Sequence, residues 1–229
     1  MVRALHEKRE MALTLRKEQY MSYSQIKNIL NVSKSSLSLW LKDYPLSKER
    51  INELRGNNEK RIERYREAMR KKKEERLRKF YSEQRKIIFP FSKRDLFIAG
   101  LFLYWGEGQK AISKEVSVSN TDPAVIVFFL KWVEKAFNIP KSKLTFTMHF
   151  YEDMNSKKET AFWAKTLGVK ERQFSKPYIK KSSSLRINQK GGFGHGTCNA
   201  RIYDARLSER VLMTLKAISD DLMAPVAHW

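Results

Sequence analysis

Between Ser47 and Pro90 the chain has no proline and a single glycine, Gly56, and is dense in Lys, Arg and Glu. Such a run holds too few apolar residues to bury itself and almost no breaker to fold it back. Over most of its length it can only be a helix with charged sides. Residues 49–90 carry a net charge of +7, against +5 for residues 1–48 and +9 for residues 91–229. The total of +21 over 229 residues concentrates phosphate near the protein and points to nucleic acid ahead of an anionic membrane. A hydrophobic content of 41% is ordinary for a globular chain and excludes one that is disordered throughout.

Two breaks flank the basic run. Gly56-Asn57-Asn58 favours a helix end or turn, and Phe89-Pro90-Phe91 stops a helix because proline cannot continue it. The expected organisation is a helical module over 1–48, a basic helical connector over 49–90 and an α+β domain over 91–229. No internal repeat is visible. Cys198 is the single cysteine, which excludes an intrachain disulfide and fits a reducing compartment. Four scattered histidines and that cysteine argue against structural zinc. Met1–Glu10 is charged with no apolar run behind it, so no export signal is read there. Ile98–Gly106 and Ala124–Leu130 fall short of the roughly 18–20 residues that span a bilayer. The expectation is a cytoplasmic, nucleoid-associated protein with no membrane partner.

In the first module Ser22-Tyr23-Ser24-Gln25 has the form of a capping box, and the helix it opens runs through Ile26, Ile29 and Leu30. Asn31-Val32-Ser33 makes a turn, after which Ser33 caps a second helix over Lys34–Asp43, closed by Pro45. Leu37, Trp40 and Leu41 share one face of that helix, with Lys34, Ser35, Ser38 and Lys42 opposite. Two short helices joined by a tight turn, apolar within and basic without, follow the helix-turn-helix plan. Its second helix fits the major groove of duplex DNA. Met21–Ser47 resembles the helix-turn-helix of resolvases and transposases. That resemblance implies that Lys34, Ser35 and Ser38 read bases and that Lys42 holds phosphate. Leu39 also falls on the outer face, where it either meets a thymine methyl or packs on a neighbouring helix. A protein-contact role for the whole module is the other reading.

The connector has Ile51, Leu54, Ile62, Tyr65, Met69, Leu77, Phe80 and Ile87 at roughly helical intervals, interrupted by Lys72 and Arg76. Either it lies along phosphates through Arg70, Lys71, Lys72 and Lys73 and dimerises, or it is a solvated spacer.

In the last domain Ser92 and Asp95 open a helix over Leu96–Trp105 that ends at Gly106-Glu107-Gly108. Strands are expected at Ala111–Ser113, Glu115–Ser119, Leu144–Tyr151, Phe174–Ile179 and Thr197–Tyr203, with helices at Ala124–Phe137, Lys157–Leu167 and Ser208–Ile218. This order predicts a sheet with helices on one face.

The segments "FIAGLFLYWGEG" and "SNTDPAVIVFFLKWVEKAFNI" resemble the first helix, saddle strand and second helix of the LAGLIDADG homing-endonuclease fold. The layout is also similar to bacterial and archaeal helix-turn-helix proteins with a "YWGEG" motif and a late "GTC" segment. The LAGLIDADG resemblance implies a sheet that saddles DNA, helices that pair across a homodimer, and an acid at the helix end binding Mg²⁺ at the scissile phosphate. The matching acid is Glu107, as both catalytic and metal-binding residue. A turn-stabilising role for Glu107 near Lys110 remains the other reading. Lys110, Lys176, Lys180, Lys181, Arg186 and Lys190, interleaved with Tyr178 and Phe193, either line a phosphate path or form a solvated strand face. The glycine-rich stretch Gly191–Gly196 lacks the ending of a phosphate loop and reads as a hairpin loop. His149, Glu152 and Asp153 stand close in sequence at a strand end.

Three functions stay open. The first is sequence-specific recognition of double-stranded DNA by a dimeric regulator or mobile-element protein, with no cofactor. The second is a homodimeric Mg²⁺-dependent endonuclease, and the third is a nucleoid protein indifferent to sequence.

Overall fold

The computed structural model describes residues 2–54, 56–111, 114–181 and 194–224, without the side chains of residues 2–4 and 57. The chain divides into two compact units, Met1–Phe89 and Pro90–Trp229. No helix among the described residues is long and apolar enough to cross a membrane.

The first unit is all helical: α1 (Val2–Lys17), α2 (Tyr23–Leu30), α3 (Lys34–Trp40), α4 (Lys48–Glu53) and α5 (Asn57–Ile88). The expected capping box is present, with Ser22 accepting from the Gln25 amide and Gln25 Oε1 accepting from the Ser22 amide. Asn31 adopts left-handed backbone at φ 46°, which reverses the chain, and Ser33 caps α3 by accepting from the Ser36 amide. Ile26, Leu30, Val32, Leu37 and Leu41 close the core with Tyr23 and with Ala12 of α1.

Two helices here were not read from the sequence. α1 looks like a charged tail because Ala12 is its one fully buried apolar residue. α4 is a short helix capped by Ser47, packing Ile51 and Leu54 with Leu46. The segment over 49–88 is therefore two helices parted at Gly56, and α5 ends at Ile88 as the following Pro90 requires.

A buried ion pair ties α5 to the small core. Arg16 donates to both carboxylate oxygens of Glu63, at 3.2 and 3.0 Å, and to the carbonyls of Met21 and Tyr44. Glu63 also accepts from the Tyr23 amide at 2.9 Å. Both side chains are nearly inaccessible, at 2% and 4% of their surface.

The second unit is mixed α+β. It contains α6 (Lys93–Glu107), β1 (Glu115–Asn120), α7 (Pro123–Phe137), β2 (Thr145–Tyr151), α8 (Ser156–Leu167), β3 (Tyr178–Lys180), β4 (Thr197–Tyr203) and α9 (Ala205–Met223). The sheet order is β1-β4-β2-β3, antiparallel except for the parallel β2–β3 pair. Val116, Val118, Phe146, Met148, Phe150, Cys198, Ala200 and Ile202 point to one face, where they pack with side chains of α6, α7, α8 and α9. At Gly100 a Cβ would lie 2.0 Å from Cδ1 of Trp132, so α6 and α7 approach closely only because that position is glycine.

Two expected strands differ. Ala111 lies outside any strand, and residues 112–113 fall outside the described residues. Instead Gly108 bridges Val118 directly after α6. The strand expected over Phe174–Ile179 is shortened to Tyr178–Lys180, because Pro177 lacks the amide a ladder needs; Phe174 makes only an isolated bridge with Phe146.

Replacing Glu63 with Ala leaves a buried guanidinium unpaired, and we expect the N-terminal unit to lose about 3–5 kcal/mol. Chemical denaturation followed by circular dichroism measures this. The Arg16→Met/Glu63→Leu double variant, which removes both charges, should recover most of that loss.

Candidate nucleic-acid interface

The α2–α3 pair sets the first candidate surface. α3 stops at Trp40, short of the expected Asp43, because the chain turns at residues 41–43 ahead of Pro45. With Leu37 and Leu41 buried, Lys34, Ser35 and Leu39 of α3 and Lys42 of the following turn are exposed. Ser35 shares a hydrogen bond of 2.8 Å with the capping hydroxyl of Ser33, which holds its position at the start of the helix. Lys42 is exposed and 3.9 Å from Asp43, too loose a pairing to occupy it. Leu39 is half exposed, at 52%, and packs in none of the unit's hydrophobic clusters.

Ser38 lies on the other flank. Its hydroxyl accepts from Arg66 Nη1 of α5 at 3.0 Å, and the same guanidinium sits 3.9 Å above the Tyr23 ring. Arg66 thus fastens α5 to both short helices. Its role could not be read from sequence, since Arg66 stands 28 residues from Ser38 and only the docking of α5 brings them together. Burial raises the Tyr23 phenol above its ordinary value, with Arg66 and Arg16 opposing that shift.

The basic cluster on α5 divides. Arg70 donates to Glu74 at 2.9 Å and Lys71 pairs with Glu67 at 3.1 Å, both along the helix. Lys72 and Lys73 are exposed and in no ion pair among the described residues. These two are the cations of the cluster most available to a phosphate.

The second candidate surface is the face of the sheet opposite the core, whose side chains are mostly half-buried. Opposite the core it carries Ser117 and Ser119 of β1, Asn199, Arg201 and Tyr203 of β4, Thr145, Thr147 and His149 of β2, and Tyr178 of β3. Arg201 donates to Thr147 Oγ1 at 3.3 Å and lies 3.9 Å from Glu115. Thr145 Oγ1, Asn199 Oδ1 and Arg201 Nε are buried with no hydrogen-bond partner. Tyr178 and Tyr203 are mostly exposed. Lys176, Lys180 and Lys181 are exposed near the β3 edge, with Lys180 5.7 Å from the Tyr151 ring centre. Arg186, Lys190 and Phe193 lie outside the described residues. The glycine-rich stretch closes no hairpin, since the flanking β3 and β4 are not neighbours in the sheet. Of its glycines Gly194 and Gly196 are described, and at Gly196 the φ of 81° and the 2.6 Å between a built Cβ and Phe150 both demand glycine.

Glu107 ends α6 as an exposed carboxylate and accepts from Asn120 Nδ2 at 3.2 Å. Lys110 does not meet it in a salt bridge; its ammonium donates to the Gly106 carbonyl at 3.2 Å. Among the described residues no three His, Cys, Asp or Glu side chains converge as metal ligands. Glu107 accordingly belongs to no such group of three among the described residues. His149 lies on the open sheet face and Glu152 and Asp153 at the exposed turn beyond it, so the three form no ligand group. Burial pushes the Cys198 thiol up to about 12, which leaves it an inert core residue. The pairing of Glu159 with His195 Nδ1 at 2.6 Å, beneath the Phe162 ring, carried no sequence signal because 36 residues separate the partners.

The chain matches no family model, no curated protein and no solved structure.

Burial, then the nearby Lys180 and Arg201 cations, hold His149 below the ordinary imidazole value of 6.5. The folded state therefore resists protonating it. Its contribution to stability is intact above the ordinary value and is lost as pH falls through the depressed one. We expect an NMR titration to place His149 below the ordinary imidazole value, and Lys180→Gln to move it part of the way back.

Proposed function

We propose that this protein binds double-stranded DNA with sequence preference, reading bases with α3 and gripping phosphate with α5, and that it acts as a homodimeric regulator or mobile-element protein of the nucleoid. The observation that carries the reading is the outward side of α3. There Lys34, Ser35 and Leu39, with Lys42 in the turn that follows, stand clear of the core on a short, doubly capped helix pair of helix-turn-helix form. A hydroxyl and an ammonium suit base edges, and a leucine side chain suits the methyl of thymine. Lys72 and Lys73 supply affinity without sequence information.

The open sheet face of the second unit is the further DNA contact in this reading. In this reading it is a LAGLIDADG-like surface whose polar side chains, half-buried on the side away from the core, stand beside the exposed Lys176, Lys180 and Lys181. Nothing in the reading requires a cofactor.

A second reading, a homodimeric Mg²⁺-dependent endonuclease of LAGLIDADG type, is favoured by one feature: Glu107 is an exposed carboxylate at the end of the Gly100 helix. A metal site there needs an acid from a second chain.

Fluorescence anisotropy at fixed salt, comparing a selected duplex with random duplex, tests the first reading. The triple variant Lys34→Ala/Ser35→Ala/Leu39→Ala should lose about tenfold or more of the preference, on the scale of one or two base contacts. Lys72→Ala/Lys73→Ala should weaken both duplexes alike and flatten the log–log salt slope by about 2. An unchanged preference in the triple variant rejects α3 as the reader, and no preference in the parent protein points to a nucleoid role. Strand cleavage with Mg²⁺ that Glu107→Gln abolishes would establish the nuclease instead.

A further inference from the structure

The last turns of α5 carry a seam that the N-terminal unit leaves unused. Leu77, Phe80, Tyr81, Gln84, Ile87 and Ile88 recur at steps of three and four, so they line one side of the helix. The five carbon-rich side chains among them retain between 45% and 75% of their surface. None belongs to either hydrophobic cluster of the unit. Toward the N-terminus the same side of the helix continues with Lys73 and Arg70, where the apolar seam stops.

The middle of the seam identifies its occupant. Gln84 is flanked by Leu77, Phe80 and Tyr81 on one side and by Ile87 and Ile88 on the other. Its amide carries both donors and acceptors. Facing lipid or a wholly apolar partner, that amide loses its water without replacement. Across a twofold axis it meets an identical amide, and each donates to the other. A single polar residue inside an apolar seam is also how paired helices fix their register. The borders carry Arg76, Arg78 and Arg85 with Glu74 and Glu83 among them, so it is the central amide, and not the flanking charge, that selects the partner.

We infer that a second copy of this chain covers the 77–88 seam, parallel and in register, as a two-heptad coiled coil whose ends splay at Lys73 and Arg70. The inference rests on the dimeric reading above and gives that dimer its contact face. Two heptads bury less than a standard interface, so the pair forms at micromolar concentrations. Anchoring of α5 by Glu63 and Arg66 spares the helix its nucleation cost.

Light scattering of the full chain across the micromolar range should show the mass rising to that of a dimer, and Phe80→Glu/Ile87→Glu should hold it at one chain with the helical signal unchanged. Cys198 is fully buried, so a short bis-maleimide reports on introduced thiols alone. Leu77→Cys and Gln84→Cys should each link into covalent dimers, and Ser82→Cys, on the opposite side of the helix, should not. Three results overturn the inference: a monomer at every concentration, linkage of Ser82→Cys as efficient as at the seam, or linkage at Gln84→Cys without linkage at Leu77→Cys. Sedimentation of a monomeric chain with phosphatidylserine vesicles that the seam variant abolishes would assign the seam to lipid instead. These readouts use no DNA, so they stand or fall separately from the duplex-binding measurements.

Discussion

The Arg16–Glu63 pair decides whether the first eighty-nine residues behave as one unit. The core of this unit is small, and α5 is too polar to be held against it by apolar contact. Guanidinium and carboxylate leave water together, which is costly, and they offset that cost only because almost every polar atom is used. Arg16 spends its donors on Glu63, Met21 and Tyr44, while Glu63 takes the Tyr23 amide as well. The pair therefore joins α1, the start of α2, the loop after α3 and the long helix at a single point.

Register along α5 follows from that point. Arg66 stands one helical turn beyond Glu63, so fixing Glu63 delivers the Arg66 guanidinium to the Tyr23 ring and the Ser38 hydroxyl. Ser38 consequently acts on α3 as a fastening, and the exposed positions are left to Lys34, Ser35 and Leu39 of that helix and Lys42 of the turn after it. In the DNA-binding reading proposed above, a change at Ser38 would act through the seating of the helix, even where no base is touched.

Much of this fold was legible in the sequence because it is written in local chemistry. The Ser22-Gln25 and Ser92-Asp95 capping boxes, the αL turn at Asn31, Pro123 at the start of α7 and the alternation of β2 and β4 each act within a few residues. What escaped was non-local. Nothing in α1 announces that Ala12 and Arg16 are buried, and Leu39, which local logic offered to a neighbouring helix, is left half exposed. The candidate site was legible to the same degree. The helix pair and the cations could be named, but the diversion of Ser38, Arg70 and Lys110 into contacts within the chain could be seen only once the helices were placed.

The edge of the sheet at β3 has a bearing on how the protein is kept in solution. Three residues long, preceded by Pro177 and followed by Lys181, this strand offers an incoming chain few free backbone groups to pair with. A longer strand here, of the length its composition invites, would be an open template for aggregation. The proline that cuts it short thus protects the edge of a sheet whose helices pack on one face.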